Sequence, residues 1–384
     1  MISTTSQPHS VLVLDNELGM GGSEKLLYDF VTRFDRDRFG LGICCLKNGG
    51  YWKRRMVDLG IPFYERILRG RFDLLAFRRL ARILREQKVE LIDTYSHPNT
   101  VILSYLAKTF GLIDRFVVAF HAMGNPEGGR LVPAYLKPFL GEADALIALS
   151  PTHRRYLVEA EGLQNGQIEV IYNGVDTEQF RPPAGDEIQR LRAEFGFERT
   201  DIVVTAVASL KPAKRIDLLL ESTVGVVESG LRTRVLLVGD GPDRDRLDSL
   251  ASRLEMGDSV TFAGVRDDVA DILRMSDMLV LSSRMGTETF PTVVLEAMAT
   301  GLPVVTTDVG SVRDMVEDGH SAIVVPPDDR EAMLTAIEAV LNDPSMGKAF
   351  GERGRQIVLD RFDVDTMCEN RQRLFERLLA GDIL

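Results

Sequence analysis

Cysteine is scarce: of the 384 residues only Cys44, Cys45 and Cys368 carry a thiol, the first two adjacent and the third far away. The count is odd, no CxxC occurs and no His/Cys spacing fits a zinc site, so a disulfide framework is excluded and a reducing cytoplasm is expected. Long hydrophobic runs are missing too. None approaches the roughly 18 to 20 apolar residues of a membrane-spanning helix, and the opening MISTTSQPHS is polar ahead of the strand-like VLVLD, unlike a signal peptide. Positive charge is in deficit: the formal net charge of -11 argues against general nucleic-acid affinity. With 45% hydrophobic and 27% charged residues, the composition is that of a folded protein with no room for a large disordered tail.

Short runs rich in Val, Ile and Leu alternate with helical patterns from end to end, the signature of parallel sheets covered by helices. Strands are expected at 11–15, 40–46, 90–93, 116–120, 144–148 and 168–171, and again at 202–208, 233–239, 259–263, 277–282, 303–306 and 322–325. Single cores stop growing at about 250 to 300 residues, so the chain is expected to form two domains. The segment NGVDTEQFRPPAGDE (173–187) carries no apolar period and separates the two series. The expected division is 1–180 and 181–384: two doubly wound α/β domains facing each other, with ligands beyond the carboxyl ends of the strands. The terminal helices, about 346–360 and 364–380, are candidates for packing back on the first domain.

Charge is uneven. Residues 1–180 hold 22 Lys/Arg against 21 Asp/Glu, leaving 24 against 36 for the rest. Within the first half, 47–88 holds 12 Lys/Arg against 4 Asp/Glu, including Lys53, Arg54, Arg55, Arg69, Arg71, Arg78, Arg79, Arg82 and Arg85, and Leu74, Leu75, Phe77, Leu80, Ile83 and Leu84 make part of it amphipathic. Such a helix suits an anionic membrane or acceptor. It equally suits a surface helix whose apolar stripe covers a sheet.

The most informative stretch is SSRMGTETFPTVVLEAMATG, in which seven residues separate Glu288 from Glu296. Pro291 suits the first helical position, and Gly301 with Pro303 ends the helix. Glu288 then lies just ahead of a helix N-terminus, where the amides of Thr289, Phe290 and Thr292 and the macrodipole favour an anion. Glu296 lies about five residues in, roughly 7 to 8 Å along the axis. The spacing fits a sugar nucleotide, with the sugar at Glu288 and ribose hydroxyls at Glu296; a capping acid plus a surface acid is the plainer reading.

Other candidates sit at strand ends. NELGMGGSEKLL opens a helix near Ser23, where Gly21 and Gly22 can bring backbone N–H groups to a phosphate or simply form a turn; it lacks the GxGxxG fingerprint. VASLKPAKRIDLLLES places Lys214 at a helix start, poised to neutralise a leaving diphosphate, with Lys211 and Arg215 nearby. In GDGPDRDRL, Gly239 and Gly241 permit a tight turn and close approach. His121, ending FVVAF, is a ligand-contact candidate, and His97 a weaker one. Asp363 and Asp365 form a DxD spacing read here as helix-capping acids. No bound metal is expected.

GGSEKLL, FHAMGNP, ALSPTHRRYL, VIYNGVDTEQFRP, SLKPAKRIDLLL, LLVGDGPDRDRL, VTFAGVRDDV and ETFPTVVLEAMATGLPVV follow, in order, the pattern of glycosyltransferase family 4, which the chain resembles over nearly its whole length. The resemblance implies the GT-B fold of two Rossmann-like domains, a nucleotide-sugar donor held mainly by the second, and retaining transfer with no metal or other cofactor. Glu288 resembles the family's donor-sugar carboxylate, Glu296 its ribose carboxylate, Lys214 its diphosphate lysine, Gly22 its phosphate glycine and His121 its cleft histidine. Val265 and Arg266 resemble the base-contacting segment. The usual phosphate-binding arginine is replaced by Ser209, so that either Lys211 or Arg215 compensates or the diphosphate is held more weakly, and Thr289 stands where the family often has glycine. The expected activity moves a hexosyl group from a UDP-, GDP- or ADP-sugar, UDP favoured, to a saccharide or lipid-linked acceptor, with anionic membrane contact at the inner face as a further expectation and a soluble small-molecule acceptor as the rival. A sugar-nucleotide epimerase or a non-catalytic nucleotide-sugar-binding protein of the same fold is the alternative.

Overall fold

The computed structural model describes residues 8–19, 21–70, 73, 75–124, 130–228 and 231–381. Seven strands form the first sheet: β1 (His9–Asp15), β2 (Phe39–Cys45), β3 (Phe63–Tyr64), β4 (Leu91–Tyr95), β5 (Arg115–Ala119), β6 (Ala145–Ala148) and β7 (Ile168–Val170). Their order is β3-β2-β1-β4-β5-β6-β7. Six more, β8 (Ile202–Val207), β9 (Thr233–Val238), β10 (Val260–Gly264), β11 (Met278–Leu281), β12 (Val304–Thr307) and β13 (Ala322–Val325), form the second, ordered β10-β9-β8-β11-β12-β13. Every ladder is parallel. The central strands are buried, as β1 shows with Val11, Leu12, Val13 and Leu14 at 1% exposure or less. This is why they read as continuous apolar runs rather than alternating ones.

All twelve expected strands are present. The additional β3, a two-residue strand directly after Pro62, pairs only Phe63 with Ile43 and Tyr64 with Cys44 and is too short to show a period.

Chain contacts divide the molecule into two units. One draws on Met1–Ala122, Arg130–Asn173 and Val364–Leu384; the other is chiefly Gly174–Asp363. The second unit thus begins a few residues before the expected 181 and ends at Asp363. Helix Val364–Leu379 counts with the first unit because its apolar face completes that core: Val364, Met367, Cys368, Leu374, Phe375 and Leu378 pack with Val11, Val13, Leu27, Phe30 and Phe39. The Phe375 ring meets Phe30 and Phe39 edge-on at 6.4 and 6.3 Å. A buried ion pair joins them, with Arg371 Nη2 2.7 Å from the Asp93 carboxylate on β4. The three thiols are buried and free, and desolvation pushes that of Cys44 up to about 12, so they act as small apolar side chains.

In the basic stretch, helix Ala76–Glu86 turns Ala76, Leu80, Ile83 and Leu84 into the first unit's core. Its apolar stripe therefore covers the sheet, and Arg79 is committed to Asp73 and to the Ile67 carbonyl. Leu75 (52% exposed) and Phe110 (66%) remain open, the latter 5.5 Å from Phe77, while Arg78, Arg82 and Arg85 face outward. Arg71 and Leu74 lie outside the described residues.

Candidate active site

The second sheet changes winding direction between β8 and β11, and in open parallel sheets that switch point is where ligands bind, beyond the strands' carboxyl ends. Two loops emerge there. After β8 the chain passes exposed Ser209 and Lys211 into a single 3-10 turn, Pro212–Lys214, before helix Ile216–Glu228. Lys214 therefore closes a turn rather than opening a helix. Arg215 takes a left-handed conformation (φ 50°) to join turn and helix. Its guanidinium pairs with Asp217 at 3.0 Å and with Asp328. Lys211 makes no ion pair among the described residues and remains the only one of the two expected substitutes with an uncommitted charge.

The loop after β11 carries Glu288, which is 8% exposed. One carboxylate oxygen, Oε1, accepts from Lys214 Nζ at 2.5 Å and from Ser283 Oγ at 2.6 Å. The loops are stitched at the backbone as well: Ser282 Oγ donates to the Lys214 carbonyl at 2.9 Å, and the Arg284 amide to the Ala213 carbonyl at 2.9 Å. A third segment braces them. Gly310 is left-handed (φ 56°), and a Cβ there would lie 2.5 Å from the Glu288 carbonyl oxygen and 2.8 Å from that of Thr289. The Ser311 amide donates to the same Thr289 carbonyl at 2.8 Å.

Helix Thr292–Thr300 follows, with Pro291 as its N-cap (ψ 103°) rather than its first helical residue. Pro291 offers no side-chain cap, and the helix's positive end lies at the Glu288 loop. Thr289 and Phe290 are buried, Phe290 packing edge-on against Phe362 at 5.8 Å. Glu296 lies on the buried face of the helix at 8% exposure. Neither acid of the pair faces an outer surface. Gly301, left-handed at φ 83°, ends the helix.

Gly239 is held close to protein. At φ 125°, its Cβ would fall 2.0 Å from the Ala208 carbonyl oxygen, and one on Gly241 2.4 Å from that of Leu210, so these glycines let the β9 loop lie backbone to backbone against the β8 loop. At the end of β10, Val265 is 58% exposed, and Arg266 is fixed by Asp268 at 2.7 Å over the Phe195 ring. Lys214, Gly239, Val265 and Glu288 thus stand at the carboxyl ends of four adjacent strands.

In the first unit, described by itself, helix Gly22–Thr32 has Gly21 as N-cap, and both glycines are exposed. The turn holds an anion of its own: the Glu24 carboxylate accepts from the Gly19 amide at 3.0 Å and from Ser23 Oγ at 2.8 Å, and a Cβ on Gly21 would sit 2.7 Å from it. His121 lies just past β5, its ring 4.9 Å from that of Tyr95. Burial, then the charges of Arg371 and His153, push its pKa down to about 3, so the imidazole is neutral at physiological pH. The next residue is anchored by buried His153, whose Nε2 meets the Ala122 carbonyl at 3.1 Å. His97 is structural: it caps helix Pro98–Thr109, Nδ1 accepting from the Asn99 amide at 3.3 Å. The two DxD acids face different partners, Asp363 accepting from Thr177 Oγ1 at 2.7 Å and Asp365 pairing with Arg33 at 2.9 Å. Among the described residues no group of three or more His, Cys, Asp or Glu could hold a metal ion.

Two open parallel sheets under helices, one with a lysine and a carboxylate paired at its switch point, define the class: doubly wound α/β proteins with a ligand site beyond the strand ends. Residues 20–179 match the family model for Glycosyltransferase Family 4 and residues 187–357 that for Glycosyl transferases group 1. The chain belongs to this family of glycosyltransferases. It is 30% identical over 328 residues to the putative glycosyltransferase EpsD of Bacillus subtilis, covering 82% of this chain and 84% of that one. It is 24% identical over 323 residues to the N-acetyl-alpha-D-glucosaminyl L-malate synthase of Bacillus anthracis, covering 81% of each. Its fold is that of Anabaena Alr3699/HepE, solved in complex with UDP-glucose, with a TM-score of 0.84 at 22% identity over 96% of this chain and 99% of that one. The fold is therefore GT-B.

Proposed function

We infer that the protein transfers a hexosyl group from a nucleoside diphosphate sugar, UDP favoured, to an acceptor hydroxyl with retained anomeric configuration and no required metal. The observation that carries this reading is the Lys214–Glu288 contact at the switch point of the second sheet. It brings a flexible-stemmed cation for a diphosphate and a fixed carboxylate for sugar hydroxyls to one spot, beside the N-terminus of helix Thr292–Thr300. As the glycosidic bond breaks, negative charge grows on the diphosphate and the sugar becomes oxocarbenium-like. Lys214 and amides at the start of helix Thr292–Thr300 stabilise the first. An acceptor hydroxyl attacks from the departing face and gives its proton to the leaving phosphate, so no protein nucleophile is needed. The remaining donor contacts fall to Gly21, Gly22, Ser209, Gly239, Val265, Arg266, Thr289, Phe290, Pro291, Thr292 and Glu296. Neutral His121 supplies a hydrogen bond near sugar and acceptor.

The acceptor is a saccharide, lipid-linked or anionic, of envelope or exopolysaccharide synthesis, presented at the inner face of a membrane. Exposed Leu75 and Phe110 in the first unit, with outward Arg78, Arg82 and Arg85, support that part of the reading. No helix among the described residues is long and apolar enough to cross a membrane, so such contact would be peripheral.

A thermal-shift panel of UDP, GDP and ADP with their glucose, galactose and N-acetylglucosamine derivatives identifies the donor, since a ligand of the native state raises its melting temperature. With that donor, Lys214→Ala and Glu288→Ala should each lower turnover about 100- to 1,000-fold, the effect of removing one preorganised electrostatic contact, while the far-ultraviolet spectrum is kept. Wild-type turnover in both variants would refute the assignment, and an inverted anomeric signal in the product would refute retention.

A further inference from the structure

We propose that Ser283 is a positioning residue that keeps the Glu288 carboxylate aimed while Lys214 passes from it to the diphosphate of the donor. This rests on the reading of the site given above. Oε1 of Glu288 receives two donors of different character: the Lys214 ammonium at 2.5 Å, on a flexible stem, and the Ser283 hydroxyl at 2.6 Å. Ser283 is completely buried, two residues past the end of β11, and its carbonyl is held by Thr307 Oγ1 of β12 at 2.7 Å. Thr307 is itself fully buried. The serine is therefore fixed to the sheet on both sides.

A lysine cannot serve a carboxylate and a diphosphate equally well at the same moment. The diphosphate carries more charge and draws the ammonium toward it, and a carboxylate as buried as Glu288 would then lose its strongest donor. An acceptor left without a donor in a low-dielectric site is costly. The Ser283 hydroxyl remains on Oε1, so the carboxylate keeps its orientation, and Oε2 is left to accept from a sugar hydroxyl. Ser283 touches neither the sugar nor the diphosphate; it acts through Glu288 by lowering the cost of the handover.

A double-mutant cycle on nucleoside diphosphate affinity, by calorimetry with the diphosphate selected in the thermal-shift panel, tests this. Ser283→Ala should weaken binding about tenfold in the otherwise unchanged protein, the lower range for a hydrogen bond to a charged group. In a Glu288→Ala background, where Lys214 has nothing to leave, the same change should cost less than twofold, and Glu288→Ala alone should bind the diphosphate at least as tightly as the wild type. Equal losses in both backgrounds would mean that Ser283 merely supports the loop, and no loss in either would remove it from the mechanism; both overturn the proposal and leave the site reading intact. If Lys214→Ala fails to weaken diphosphate binding, the site reading falls and the handover with it. Should Ser283→Ala prove too unstable to titrate, Ser283→Cys, which fills the site with a slightly larger atom and a weaker donor, decides by the same comparison of backgrounds.

Discussion

Gly310→Ala is the sharpest test of how the Glu288 loop is held. The substitution carries two costs. A left-handed backbone at φ 56° penalises alanine by about 1 kcal/mol relative to glycine. The new Cβ would also sit 2.5 Å from the Glu288 carbonyl oxygen, 2.8 Å from that of Thr289 and 2.9 Å from the Glu288 carbonyl carbon, all backbone atoms that cannot rotate away. The loop must retreat by roughly 1 Å to restore ordinary contact, and such overpacking costs about 1 to 3 kcal/mol. The sum, about 2 to 4 kcal/mol, should lower the melting temperature of the second unit by about 5 to 15 °C for a unit of its size. Because the displaced segment carries a donor-contacting carboxylate, turnover should fall about 100-fold, the usual effect of a 1 Å misplacement in a site. Gly319→Ala is the matched control: φ is 75° but nothing lies within 4 Å of its Cβ, so only the backbone strain is added. Calorimetric melting and a coupled assay of nucleoside diphosphate release give the two readouts. If Gly310→Ala stays within twofold of Gly319→Ala in turnover, contact between the two loops does not set the position of Glu288.

Two further outcomes are expected. The folded pKa of His121 is depressed to about 3 from 6.5, so its contribution to stability is full above pH 6.5 and is lost as pH falls toward the folded value; moving from pH 7 to pH 5, the wild type should lose about 1 to 2 kcal/mol more than His121→Asn. Urea midpoints at the two pH values measure this, and equal losses would show that the imidazole titrates normally. In the second, the protein should float with vesicles rich in anionic lipid at low salt and sink at high salt, and Arg78→Glu/Arg82→Glu should abolish flotation; no binding of the wild type at low salt removes the membrane part of the function.

The sheets were legible because parallel strands buried on both faces announce themselves as apolar runs; Phe63–Tyr64 escaped because two edge residues carry no pattern. Lys214 and Glu288 were legible as strand-end residues, but their meeting was not, since 74 positions separate them. The same holds for the groups that position them. Ser283 looks like any strand-end serine until its hydroxyl is seen on Oε1, and Gly310 like any loop glycine until the Glu288 carbonyl is seen beneath it. Gly239 was legible as a glycine that permits close approach, but not what it approaches, the Ala208 carbonyl oxygen. Pro291 moved by one place because its fixed φ suits a cap and a first helical residue alike; its ψ depends on a loop braced from Gly310 and Ser311. The Arg371–Asp93 pair spans 278 positions and offers no local signal.

Helix Val364–Leu379 leaves the ribosome after the whole of the second unit, although the wall it completes belongs to the first. During synthesis the N-terminal sheet must therefore wait with Val11, Val13, Phe30 and Phe39 uncovered on one side and with Asp93 lacking its cation, while the later-made sheet already has its full set of strands. Domains usually mature in the order of translation; here the earlier one is finished last, so the nascent chain exposes an apolar surface until that helix emerges.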